Sequence, residues 1–403
     1  MSEWKKVKLK DCCHSISDGD HLPPPKSDSG VPFVTIANID ATNHIDFGNT
    51  MFVPYEYYNN LNDIRKAKFN DILYSVVGSF GKPVLIKENK SFAFQRHIAI
   101  LRPNNEFVDS RFLYYVMLSR DFYMQADTVA IGAAQRTISL TALRNMEVEL
   151  PSMEIQHRIA TILSRYDSLI ENYQKQIKLL EEAAQRLYKE WFVDLHFPGH
   201  ENTKIVDGVP EGWEKKKVKE VCDTTSGGTP SRSKTEFYTG DILWVKTKEL
   251  NDDFIFDTEE KITEDAIRNS SAKMVPSGSI LMAMYGATIG KLGIATKELS
   301  CNQACCVFLL PEDSTLRLYL YNWLLNSRTL LISMGKGAAQ PNLSQDMIKN
   351  LEVVVPSSCL LAKFDSKVKP LYRIMSYHSF QLRLLTEARD RLLPKLMSGA
   401  IEV

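Results

Sequence analysis

Residues 132–151, "GAAQRTISLTALRNMEVELP", return at residues 337–356 as "GAAQPNLSQDMIKNLEVVVP". The match continues without a gap from 132–191 to 337–396, a constant offset of 205 positions. In each copy the proline that ends the quoted stretch is followed by a long run of apolar residues at helical spacing. An internal repeat governs the reading of everything local. Two copies of one unit, each a folded module plus a long helix, describe a protein that touches two similar things at a fixed separation.

After Pro151, Ser152 is placed to cap a helix and Glu154 sits in its first turn, where a carboxylate is favoured. Apolar residues then recur at Ile155, Ile159, Ile162, Tyr166, Leu169, Tyr173, Ile177, Leu180, Ala184, Leu187 and Trp191. Their steps alternate between four and three with one stutter, as in a coiled-coil seam. The second copy carries Leu360, Phe364, Val368, Leu371, Met375, His378, Leu382, Leu385, Leu392 and Leu396 on a comparable seam. Pro370 and Pro394 are expected to perturb that helix, leaving its regular part between them. A single apolar stripe is only marginally stable without a partner, and the nearest partner is the other copy. Antiparallel pairing predicts modules at opposite ends of a rod. About 38 residues at ~1.5 Å each give roughly 57 Å, about one and a half turns of B-DNA.

The repeat extends upstream with drifting offsets, so loops between matched elements differ in length. Trp4, Leu9, Lys10 and Cys13 match Trp213, Val218, Lys219 and Cys222, "DILYSVVGSFGKPVLI" parallels "GSILMAMYGATIGKLGIA", and Gln95 parallels Gln303. Alternating apolar runs such as "PFVTIANI", "DILWVKTKEL" and "HIAILRP" read as strands, and 110–119 and 316–326 read as helices. The fold class is therefore mixed α/β: two copies of one module, separated by two long helices that form an antiparallel coiled coil, with pseudo-twofold internal repetition. The boundaries are 1–151 and 213–356 for the modules, 152–195 and 357–403 for the helical regions, and 196–212, rich in Gly, Pro and polar residues, for a linker.

The 403 residues have an ordinary globular composition. With no apolar targeting segment and no run long enough to span a bilayer, the expected location is the cytoplasm. Seven cysteines include two adjacent pairs but no C-x-x-C, which predicts reduced, mostly buried thiols. The net charge is zero, with 49 basic and 49 acidic residues. A nucleic-acid ligand would therefore have to be met by local basic clusters such as Lys215, Lys216, Lys217 and Lys219, or Arg232 and Lys234.

The motifs for chemistry are missing or weak. "GATIGKL" at 286–292 has three residues between its glycines and Leu292 where a magnesium-binding Ser or Thr belongs, so it is not expected to hold phosphate. No strand leads into G-x-G-x-x-G. The N-P-P-[YF] loop of DNA adenine methyltransferases is absent, the one proline run being "LPPPK". Asp257, Glu259 and Lys261 superficially match a metal-dependent nuclease and read better as a solvated turn. His97, His157 and His378 have no acid or cysteine at ligand-like spacing, so neither metal nor catalytic residues are expected.

The Trp-initiated module opening, the turns at 70–73 and 278–281, the "GAAQ" segment before "PSMEIQ", the "KEWFVDLHFPG" exit and "VPEGWE" together resemble the specificity subunits of type I restriction-modification systems. The resemblance covers essentially the whole chain. It departs after Pro356, where "SSCLLAKF" stands for "SMEIQHRI". It implies a non-catalytic subunit that binds a split, asymmetric double-stranded DNA sequence, one half-site per target-recognition domain, with the coiled coil setting the spacer. It also implies partners: two methyltransferase subunits that methylate adenine using S-adenosylmethionine, and restriction subunits using ATP and Mg. No cofactor is expected in this chain itself and no membrane contact.

Polar or basic loop residues that the repeat places equivalently are the candidate DNA contacts: Lys26, Ser79, Lys82, Gln95, Arg96, Gln135 and Arg136 in module one. In module two they are Thr229, Ser231, Arg232, Lys246, Lys248, Thr288, Lys291, Asn302, Gln303, Gln340 and Asn342. The alternatives are a protein-interaction scaffold with a coiled-coil rod, which would take the neutral charge at face value, and a nuclease using Asp257, Glu259 and Lys261.

Overall fold

The computed structural model describes residues 4–21, 23–40, 42–133, 135–311, 313–335 and 342–403. By compactness the chain divides into two units, residues 1–170 with 385–403, and residues 171–384. Each contains one module, the first half of the long helix that follows it, and the second half of the other long helix.

In the first unit, β1 (Lys5–Lys8) pairs antiparallel with β9 (Glu147–Leu150), the strand immediately before the helix. The main sheet runs in the order β2 (Cys13–Asp18), β8 (Ile98–Pro103), β5 (Ile72–Ser75), β6 (Pro83–Leu85), all antiparallel. A smaller sheet places β3 (Val31–Val34) between β4 (Met51–Val53) and β7 (Ala93–Phe94), the latter parallel. Helices α1 (Ser110–Leu118) and α2 (Arg120–Val129) complete the module.

The second unit repeats this plan. β10 (Glu214–Lys217) pairs with β19 (Glu352–Val355). Strands β11 (Asp223–Ser226), β18 (Cys305–Leu309), β15 (Ile280–Ala283) and β16 (Leu292–Ala295) reproduce the four-stranded order, and β13 (Asp253–Ile255) adds a fifth, parallel to β16. β12 (Ile242–Val245) lies between β14 (Lys261–Ile262) and β17 (Ser300–Cys301), and helix α4 spans Leu316–Asn326.

Two of the apolar runs are strands only in part. "PFVTIANI" and "DILWVKTKEL" leave the ladder after Val34 and Val245 and become single 3-10 turns. Asn38 Oδ1 accepts the Thr35 backbone N–H at 2.9 Å, and Glu249 Oε2 accepts that of Lys246 at 2.7 Å. A side chain three residues ahead thus captures the donor that the strand would have used.

The long helices are α3 (Met153–Tyr188), which ends in a π turn at Lys189–Val193, and α5 (Ser358–Met397). α5 runs through Pro370 and Pro394, contrary to the expected perturbation. Both prolines are exposed, so the carbonyl that each leaves without a helical donor is open to water. Within each unit the two helices run antiparallel. In the second, the ring of Tyr173 lies 4.8 Å from His378 and that of Tyr188 6.3 Å from Phe364. In the first, Ile159, Ala160 and Leu163 share a core with Leu392 and Leu396.

The seam of α3 differs from the apolar-only reading. Leu169 is 47% exposed whereas Ile170 is 6% exposed. The inward positions are Gln156, Ala160, Leu163, Asp167 and Ile170 in the first unit and Gln174, Ile177, Glu181, Ala184, Tyr188 and Trp191 in the second, all buried or half-buried. They alternate by four and three with no stutter. Polar residues occupy several seam positions, so following apolar residues alone shifts the first half of the stripe by one residue, through Tyr166, Leu169 and Tyr173, and needs a stutter to recover.

Asp167 on this seam is held by specific partners. Tyr115 on α1 donates to Asp167 Oδ2 at 2.6 Å, and Arg389 on α5 reaches Asp167 Oδ1 at 3.0 Å. The repeat places Tyr372 where Asp167 stands, and there Asn322 of α4 donates to the Tyr372 hydroxyl at 3.0 Å. Five cysteines, Cys12, Cys222, Cys301, Cys305 and Cys306, are buried, Cys13 is half-buried and Cys359 is exposed. Among the described residues, no helix is long and apolar enough to cross a membrane.

Glu181 carries a pH dependence. Burial, followed by the nearby carboxylates of Asp253 and Asp252, pushes it up to about 7 from the ordinary 4.5. Folded Glu181 therefore keeps a proton that the unfolded chain sheds near 4.5, and stability falls as pH rises through this window. Relative to Glu181→Gln, the wild-type chain should lose about 1 to 2 kcal/mol between pH 5 and pH 8, the shift being discounted for partial exposure. Thermal melts across that range check this; parallel pH profiles of the two proteins would contradict it.

Candidate nucleic-acid interface

The loops at one end of each main sheet are positioned by duplicated close approaches. After β2 the chain passes β7 so tightly that a Cβ on Gly19 would lie 2.1 Å from the Phe94 carbonyl oxygen. After β11 a Cβ on Gly227 would lie 1.9 Å from the Cys301 carbonyl oxygen. Only glycine fits at such contacts. They set Asp20 beside Gln95 through an isolated bridge, and Thr229 beside Gln303, whose side-chain oxygen accepts the Thr229 hydroxyl.

The turn joining β5 to β6 is likewise repeated between β15 and β16. Left-handed glycines flank both, Gly78 and Gly81 at φ 69° and 92°, Gly286 and Gly290 at 68° and 77°. "GATIGKL" is thus a strand-to-strand turn and does not open a helix, so it lacks the geometry of a phosphate loop. In each module this turn meets the "GAAQ" region by an isolated bridge, Val77 to Thr137 and Tyr285 to Asn342.

In module one these segments enclose a cleft of about 320 Å³. Its polar lining comes from Asp18, Arg96, His97, Gln135, Thr137 and Ser139, over a floor that includes Val76 and Ile138. Asp18 is held by His21 at 2.8 Å, with Arg65 3.7 Å away. Burial, then the charge of Arg96, pulls the His97 imidazole below its ordinary value, which keeps it neutral. The cleft therefore presents a mixed row of donors and acceptors on a partly apolar floor, suited to polar edges of a ligand.

The predicted contacts fall into distinct groups. Arg96 and Gln135 line this cleft, and Gln95 stands behind it against His97. Lys26 and Ser79 are exposed, and Lys82 is half-buried with its ammonium 3.5 Å from the Ile39 carbonyl. Arg136 turns inward, pairing with Asp127 and lying 5.3 Å over the Phe80 ring. In module two most basic candidates are engaged internally. Arg232 pairs with Glu260 at 2.7 Å and packs 4.3 Å over Tyr238; Lys246 bridges Glu259 and Glu260 at 2.9 Å each; Lys248 meets Glu259 at 2.5 Å; Lys291 meets Asp252 at 2.7 Å. Asn302 accepts the Ala304 N–H and so closes its own turn, and Thr288 donates to Tyr285. Ser231 and Ser233 are mutually bonded, while Gln303 and Asn342 are exposed. Gln340 lies outside the described residues.

The nuclease-like trio is also tied up. Asp257 pairs with Lys261 and Arg383, and Lys248 and Lys246 pull Glu259 down to about 2. Among the described residues, no group of three or more His, Cys, Asp and Glu side chains is gathered as metal binding requires. The polar cleft residues that the sequence did not single out as contacts are Asp18, His97, Thr137 and Ser139. The order of the strands would have pointed to the first two, because β2 and β8 pair Asp18 with Ala99, two residues beyond His97.

A family model described as the type I restriction modification DNA specificity domain matches residues 1–182 and again 210–358. The chain belongs to that family. Among its curated relatives, the type I restriction enzyme MjaIX specificity subunit of Methanocaldococcus jannaschii is 28% identical over 73% of this chain and 70% of its own length. The HindI specificity subunit of Haemophilus influenzae is 25% identical over the whole of both chains. The crystal structure of a type I restriction-modification S subunit from M. genitalium shares the fold, with a TM-score of 0.65 and 18% identity over 98% of this chain and 96% of that one. The specificity-family chain thus has its duplicated architecture in a solved relative.

Gly227→Ala should strain module two alone. The clash with the Cys301 carbonyl should cost about 1 to 3 kcal/mol, lower the melting temperature, and speed amide exchange at 226–229 and 300–304. Unchanged stability and exchange would mean that the close approach is not a constraint.

Proposed function

We propose that this chain is the sequence-reading subunit of a type I restriction-modification complex. Each module reads one half of a split, asymmetric double-stranded DNA target, and the helix pair sets the length of unspecified sequence between the halves. The observation that carries this reading is that two modules share one scaffold, down to paired glycines, yet differ in the side chains at the matching loops. Module one offers Arg96, His97 and Gln135 around a cleft, and module two offers Thr229 and Gln303 at the corresponding turn. Direct readout needs such differing donors and acceptors held in register with a groove.

The partners are two methyltransferase subunits and the restriction subunits. S-adenosylmethionine, ATP and Mg are held by those partners, and adenine is the base methylated. Module two's internal ion pairs limit its nonspecific attraction to phosphate, so affinity at physiological salt rests on the assembled complex more than on this chain alone. The two helix starts differ in a way that bears on docking. Gln156 is buried and ties the first to its module, accepting the Asp109 N–H at 3.0 Å and donating to the Pro151 carbonyl at 3.0 Å, while the repeat puts buried Leu361 at that place.

Expression of this chain with its methyltransferase partner in a host lacking other adenine methylation tests the reading. Mapping methyladenine should give one bipartite motif with two different half-sites and a fixed spacer. Methylation without sequence preference, or at a single continuous motif, would contradict it.

A further inference from the structure

The shared turn after β7 and β17 ends differently in the two modules. In module one Gln95 Nε2 lies 3.1 Å from His97 Nδ1, and His97 lines the cleft beside Arg96 and across from Gln135. In module two the strand register puts Asn302, not Gln303, where Gln95 stands. Gln303, at the place of Arg96, receives the Thr229 hydroxyl, and Ala304 takes the position of His97, its carbonyl accepting the Met284 N–H as that of His97 accepts the Val76 N–H. A cleft histidine is thus particular to module one.

The contact with Gln95 fixes the chemistry of that ring. An amide nitrogen only donates, so His97 Nδ1 accepts and the ring proton resides on Nε2. The backbone holds the residue from both sides, with Val76 N–H donating to the His97 carbonyl at 2.9 Å and Gly19 N–H to the Ile98 carbonyl at 3.2 Å. The charged groups facing the ring are Arg96 beside it and Asp18, itself engaged by His21 and Arg65; Gln135, Thr137, Ile138, Ser139 and Leu140, which complete that side of the cleft, are uncharged, and Arg136 is turned to Asp127. A neutral imidazole with its one free N–H at a cleft is a single hydrogen-bond donor.

We infer that His97 is a specificity-determining residue of module one, donating its Nε2–H to an acceptor on a base edge in the major groove, with Gln95 as the positioning residue that fixes its tautomer. The inference rests on the DNA-reading function proposed above. The acceptors of that class are a purine N7 or the keto oxygen of guanine or thymine. Module two, with Ala304 at this place, reads its half-site by other means.

The test uses the full chain assembled with its methyltransferase subunits. In His97→Ala, methyladenine mapping should show one position of one half-site become degenerate, with the other half-site and the spacer unchanged. Affinity for the wild-type target should fall about 5- to 100-fold. The salt dependence should stay as in wild type, because a neutral donor releases no counterion. His97→Gln, which keeps an N–H donor at similar reach, should retain much of the preference and serves if the alanine variant is unstable. Gln95→Glu should favour the protonated imidazole and move any pH dependence of binding to higher pH than in wild type. An unchanged half-site in both His97 variants, a loss spread evenly over all positions, or a salt slope lowered by about one would overturn the assignment. If the wild-type complex itself methylates without sequence preference, the proposed function fails, and with it the ground for this inference.

Discussion

Each long helix carries a stripe that its own module cannot cover, and the second half of the other helix is what covers it. In the first unit, Ile159, Ala160 and Leu163 close on Leu392 and Leu396 of α5. In the second, Phe364 and Val368 close on Ala184, Tyr188 and Trp191 of α3. Burial of a large aromatic or aliphatic side chain stabilises by about 1.5 to 3 kcal/mol, so this shared seam is among the largest apolar contributions in each unit. The modules hang from it through the β1–β9 and β10–β19 ribbons, which feed straight into the helix starts. Change the seam register and each sheet is re-aimed with it.

Above that frame, the scaffold is held constant where geometry is tight and varies where side chains face outward. Gly19 and Gly227 permit the same backbone approach, and the paired left-handed glycines of residues 78–81 and 286–290 permit the same turn. The side chains presented at those turns diverge, giving a histidine cleft in one module and a threonine–glutamine contact in the other. Arg232, Lys246, Lys248 and Lys291 neutralise Glu260, Glu259 and Asp252, so these four basic groups build the module.

The repeat, the two modules and the long helices were legible because constant offsets and helical spacing survive substitution. The seam itself was legible only by half. Gln156 and Asp167 point inward because Asp109, and Tyr115 with Arg389, meet them there, and no apolar pattern can announce a buried polar residue whose partner is distant in sequence. The same limit applies to the candidate contacts. Lys246 and Arg232 look like ligand-facing bases until the fold brings Glu259 and Glu260 against them. His97, without an acid or cysteine nearby in sequence, gained meaning only when the fold brought it into one cleft with Arg96 and Gln135.

The claim that the helix pair is the ruler is tested most directly by lengthening both helices together. Seven residues inserted after Ile170 and seven after Leu384 keep the heptad phase of both and add ~10 Å of helix, about three base pairs of DNA at ~3.4 Å each. Methyladenine mapping of the lengthened protein should return the same two half-sites with a spacer about three base pairs longer. The same half-sites at the original spacing would contradict the account.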